Sequence, residues 1–310
     1  MEAGGPMMMR YLCRLNQHNA LAMKLMTRLF TVVLLFAATA AVAQIKTPQP
    51  SPGATISQTV GLTDITVVYS RPGMKDRTIF GDLVPYGKIW RTGANKATMI
   101  KFDEPVSFNN KEVPAGSYSI FTMPGKEMWT IMINKNTELW GAGEYKESEE
   151  VTRFEIKSTT LGDPVETFTI EFSHLTDNSA HLVMKWEKTR VAIPIKVDSE
   201  TKVMAQIKEQ LVDAPADAEV KASTYMAGGR YYAEHGKDQE MALKWMNKAI
   251  EMRPKAFWYI HYKAELLADM GNTKEAIKTA EESLKMAKAS EEGDYGYIDR
   301  NEKLIARLKG

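Results

Sequence analysis

RVAIPIKVD, residues 190–198, is where the chain changes its period. Val191, Ile193, Ile195 and Val197 alternate with other residues, so in an extended strand all four share one face. Beyond Asp198 the apolar residues recur at three- and four-residue intervals instead. A period of two giving way to one of 3.6 predicts an antiparallel β-sandwich followed by an α-helical region.

Upstream, TDITVVYS (63–70), VTRFEIKS (151–158), ETFTIEFS (166–173) and AHLVMKWE (180–187) are rich in Val, Ile, Thr and Phe, as strands are. Turn residues stand between such runs: Asn109-Asn110, Pro114-Ala115-Gly116, Pro124-Gly125 and Asp177-Asn178. Closely spaced strands without helical pattern between them read as a sandwich over 55–198. GAGEYKESEE (141–150) is the one stretch there that could hold a short helix. QIKTPQPSPG reads as a Pro-rich linker, 44–54.

Downstream, residues 199–217 read as a second linker and 218–310 as helices. DAEVKASTYMAGGRYYAEHG, KDQEMALKWMNKAIEMRP, KAFWYIHYKAELLADMG and NTKEAIKTAEESLKMAK pair as two helical hairpins, and DYGYIDRNEKLIARLKG supplies a cap. A shift of 34 positions lays Ala242 on Ala276, Leu243 on Ile277, Ile250 on Leu284 and Met252 on Met286. Pro254 follows the second helix. That spacing resembles tetratricopeptide repeats and implies a protein partner for the helical region. Met241, Trp245 and Met246, with Phe257, Trp258 and Tyr259, read as packing between helices.

The amino-terminal segment reads as a secretory leader. Lys24 and Arg28 precede an apolar run, Leu29 to Ala40, and Ala41-Val42-Ala43 is a small-x-small cleavage signal. Residues 1–22 read as an over-called upstream start. The expected mature chain begins at Gln44, in the periplasm or outside the cell, with no membrane span. The single cysteine, Cys13, precedes that site, so the remainder holds no thiol. The first 43 residues carry four basic side chains and one acidic, leaving 36 basic and 38 acidic residues. A near-neutral chain without a basic run argues against nucleic acid as a partner.

One segment stands apart from this pattern. VPYGKIWRTGANKAT, residues 84–98, places Tyr86, Trp90, Arg91 and Asn95 in what should be a loop. One reading is structural, with Trp90 plugging the sandwich and Arg91 satisfying turn carbonyls. The other makes Arg71, Arg77, Arg91 and Asn95 polar donors around Tyr86, Trp90 and Trp140, a set suited to an anionic or glycan ligand. Catalytic signatures such as G-x-S-x-G, H-E-x-x-H, a P-loop or a Rossmann glycine run do not occur, and no cofactor is expected. A two-residue turn at Asp177-Asn178 sets His174 opposite His181, a weak metal candidate lacking a third ligand. His235 and His261 read as helix-surface or interface residues.

SRPGMKDRTIFGDLVPYGKIWRTGANKATMIKF (70–102), VPAGSYSIFTMPG (113–125), MWTIMINKN (128–136) and LWG (139–141) together resemble a family of exported bacterial proteins, domain of unknown function 2911. The resemblance covers roughly 50–197 and implies no reaction. Two functions are therefore expected in competition. The first is a non-catalytic binding or scaffold module of the cell envelope. The second is a hydrolase-like envelope enzyme using Arg91, Asn95 and neighbouring carboxylates.

Overall fold

Alternation in TDITVVYS becomes strand β2 (Thr63–Ser70), whose Thr63, Ile65, Val67 and Tyr69 are buried while their neighbours are not. The computed structural model describes residues 47–215 and 218–310. The leader read at 24–43, the over-called start and Cys13 lie outside them. Residues 47–52 hold no helix or strand, and 53–310 form one unit.

The other strands are β1 (Gly53–Val60), β3 (Thr98–Phe102), β4 (Val106–Phe108), β5 (Lys111–Val113), β6 (Gly116–Met123), β7 (Met128–Asn134), β8 (Glu150–Ser173) and β9 (Ser179–Val197). They run in the order β1-β2-β3-β6-β7-β8-β9-β4-β5, and every pairing is antiparallel. The first part of β8 pairs with β7 and its second part with β9, so this one strand passes from one layer of the sandwich to the other. Both layers supply one core, including Ile65, Val67, Ile100, Phe102, Ile131, Phe168, Ile193 and Ile195.

The stretches read as four strands, 151–158, 166–173, 180–187 and 190–197, are two. Gly162, Asp163 and Pro164 interrupt the sequence pattern, yet the backbone stays extended. The register skips between Thr160 and Val165, and again before Thr169. Glu187, on the facing strand, has a φ of 52°. Irregularities of this kind bend a strand without ending it, and they accommodate a proline.

Helices follow as α1 (Ser199–Ile207), α2 (Ala222–Glu234), α3 (Gln239–Met252), α4 (Phe257–Asp269), α5 (Thr273–Lys288) and α6 (Tyr297–Lys309). α2 packs on α3, α4 on α5, and α6 closes the stack against α5. Small residues permit close crossings: Ala242, Ala276 and Ala280 are fully buried, and a Cβ on Gly229 would stand 2.8 Å from Met246 Cγ. α1, running on into a π turn at Lys208–Val212, occupies the stretch read as a linker. Asp198 caps it by accepting from the Thr201 N–H at 3.0 Å. Its apolar stripe, Val203, Ile207 and Leu211, is too thin to announce a helix. At 141–150 the only helical feature is a 3₁₀ turn, Glu147–Glu149. Among the described residues no helix is long and apolar enough to cross a membrane.

Candidate functional site

The segment between β2 and β3 is held from below by Trp90. Its backbone pairs with Thr122 on β6, N to O at 2.7 Å and back at 2.9 Å. The indole, 9% exposed, meets Phe80, Trp129, Phe168 and Trp186 at centroid distances of 5.3 to 6.3 Å. Its N–H donates to the Gly93 carbonyl at 3.0 Å, so the ring is satisfied without water. Beside it the buried hydroxyls of Thr92 and Thr122 stand 3.2 Å apart, and Thr98 donates to the Thr92 carbonyl. Thr92 and Asn95 take positive φ, 56° and 58°, an uncommon backbone for a β-branched threonine that the hydroxyl contacts hold in place.

The three arginines of the set have different surroundings. Arg71 donates from Nε to the Phe168 carbonyl at 3.1 Å and from Nη2 to Thr169 Oγ1 at 2.8 Å, lashing the loop to β8. Arg77 closes its own turn, donating to the carbonyls of Met74 at 3.0 Å and Gly73 at 2.8 Å. Arg91 is half-buried. Its Nε is shielded from solvent without a hydrogen-bond partner, and the guanidinium makes no ion pair among the described residues.

A second loop lies against Arg91. A Cβ on Gly141 would stand 4.0 Å from Arg91 Nη1. The residue before it, Trp140, is 71% exposed. Two contacts join the loops: Ala97 N–H to the Leu139 carbonyl at 2.9 Å, and the ion pair Lys96–Glu138 at 2.8 Å. The Lys96 ammonium, hydrogen-bonded to Glu138, holds that carboxyl below its ordinary value. Ala97, Leu139, Phe121 and Met132 form a small apolar cluster under the junction. Lys96 and Glu138 are not among the candidates read from the sequence; Arg91, Trp140 and the run LWG are its signals of this corner.

The remaining members sit apart in their contacts. Asn95 is exposed, with its side-chain amide 3.3 Å from Ser70 Oγ. Tyr86, 40% exposed, lies over Gly81, where a Cβ would stand 2.7 Å from its ring.

Clefts elsewhere among the described residues are lined by other residues. One of about 550 Å³ lies among β4, β9 and α1; in it Lys202 pairs with Glu104 at 2.8 Å and Lys196 donates to Asn110 Oδ1 at 3.1 Å. Two of about 330 and 310 Å³ share Glu265 and Arg307 in the helical region. Under them His261, 2% exposed, meets Asn301 Oδ1 at 2.8 Å, and Asn301 donates onward to Ser283 Oγ at 2.9 Å. This network ties α4, α5 and α6.

At the β8–β9 hairpin, Ser173 rather than His174 lies opposite His181. His174 takes a φ of 51°, which puts one extra residue into the turn. The two rings still approach to 4.9 Å. Burial first, then the positive charges of His174 and Arg190, hold His181 below the ordinary imidazole value. Among the described residues no group of three or more His, Cys, Asp or Glu is placed to hold a metal.

Comparison with curated proteins gave no match. Residues 51–195, which hold most of the nine-strand region, match the model of a family described as Protein of unknown function (DUF2911).

Proposed function

We propose that this is a binding module of the cell envelope, exported on the leader at 24–43, with an anion-recognising corner where Arg91 meets the loop that carries Trp140. One observation carries the reading: a half-buried guanidinium without a protein partner among the described residues, against the 139–141 loop that carries the exposed Trp140. Partly shielded cations gain more from an anion than exposed ones, and a hydrogen bond to a charged group contributes about 1.5–3 kcal/mol. A carboxylate on the Arg91 fork with a sugar ring on the Trp140 face would use both, which makes acidic glycans the favoured ligand class. The helical hairpins, tetratricopeptide-like in spacing, are the proposed seat of a protein partner.

Calorimetric titration with uronic-acid oligosaccharides, against neutral oligosaccharides of the same length, tests the corner. Arg91→Ala should abolish the preference for the acidic series, and Trp140→Ala should weaken both. Equal binding of the acidic series by wild type and Arg91→Ala would sink the assignment. Export is tested separately by N-terminal sequencing of envelope material, which should begin at Gln44; a retained leader would count against it.

A further inference from the structure

We propose that β1 is a self-association edge through which two copies of the chain pair antiparallel about Ser57. β1 ends the strand order. All eight residues pair with β2, from Gly53↔Ser70 to Val60↔Thr63, without a register break. Val60 and Thr63 flank a two-residue turn with Gly61 at φ 56°, so they form the hydrogen-bonded pair next to the turn. The backbone groups of the alternate residues, Gly53, Thr55, Ser57 and Thr59, therefore face outward. No other backbone–backbone hydrogen bond reaches 53–60 among the described residues. The Thr59 carbonyl takes the amide of its own neighbour Gln58 at 2.9 Å, a side chain standing where a strand would donate.

The two edges of the sheet are built differently. β5 is three residues long, and Lys111 and Glu112 are exposed on it. Short strands and charges are the usual protection of an edge, together with prolines and bulges. β1, GATISQTV, is eight residues long and carries no charge, no proline and no bulge.

The occupant follows from side-chain parity. Antiparallel pairing about Ser57 sets Thr55 against Thr59 of the other copy on the exposed face, hydroxyl against hydroxyl. On the inner face it sets Ile56 against Gln58 and Ala54 against Val60. Every pair is neutral and of compatible size, and Ser57 Oγ, 2.9 Å from Thr66 Oγ1, continues a ladder of hydroxyls.

Analytical ultracentrifugation of the protein from micromolar to submillimolar concentration tests the inference. The wild type should dimerise. Ser57→Lys, which sets two ammonium groups opposite one another at the axis, should weaken the dimer at least about tenfold, while Ser57→Ala should dimerise as the wild type does. Thermal unfolding checks that the lysine variant is folded; if it is not, the double variant Thr55→Lys, Thr59→Lys, which again sets ammonium groups opposite one another, replaces it with the same expectation. A wild type that stays monomeric, or a dimer that a folded lysine variant leaves intact, overturns the proposal.

Discussion

Trp90 stacks on Trp186, with ring centroids 5.9 Å apart and planes 19° from parallel. The loop between β2 and β3 is thereby fastened to β9, across the core and in the other layer of the sandwich. The rigidity of the Arg91 corner rests on this contact.

Replacing Trp90 with alanine should cost roughly 3–5 kcal/mol, as for a buried aromatic with a packed ring on several sides. Urea denaturation followed by far-ultraviolet circular dichroism measures it. A midpoint equal to wild type would mean that the loop is held by its backbone pairing with Thr122 alone.

Two arginines of the same loop should respond differently to removal. Arg91→Ala removes no hydrogen bond within the protein, so stability should stay within about 0.5 kcal/mol of wild type. Arg71→Ala leaves the Phe168 carbonyl without its donor and should cost about 1–3 kcal/mol. Thermal melting distinguishes them, and an unfolded Arg91→Ala would make that residue a structural clamp.

Gly61 is where the β1–β2 turn touches the start of α1. A Cβ there would fall 1.9 Å from Ser199 Oγ and 2.5 Å from the Asp177 carbonyl oxygen, on a backbone with φ of 56°. The Ser199 side chain can rotate away, but the carbonyl belongs to the backbone. Gly61→Ala should therefore destabilise by about 1–3 kcal/mol and speed amide exchange in 199–212. Unchanged exchange there would show that α1 docks without the turn.

The histidine pair gives a pH dependence of defined sign. The folded value of His181 lies below the ordinary one, because burial, His174 and Arg190 all disfavour its charged form. Its contribution to stability is present above the unfolded value and is lost as pH falls through the folded one. Melting temperature should drop between about pH 7 and pH 5, and His181→Gln should flatten that drop. A parallel drop in the variant would assign the effect to other groups.

Period was enough to mark β2, the two long strands β8 and β9, and the five hairpin and cap helices, because both backbone geometries repeat over a few residues and stamp their repeat on the apolar pattern. It failed where the stripe was thin, at α1, and where turn residues sat inside a continuous strand, at 160–165. The amino-acid sequence also marked 84–98 as unusual, through aromatics and an arginine crowded into a loop. It could not divide Arg71 and Arg77, spent on carbonyls, from Arg91, which has none. For two of the three, the surroundings of the guanidinium are set by chain segments far away in sequence: β8 for Arg71 and the loop at 139–141 for Arg91. Only the folded sandwich brings those segments together, and only there does the difference between a clamp and an unanswered charge exist.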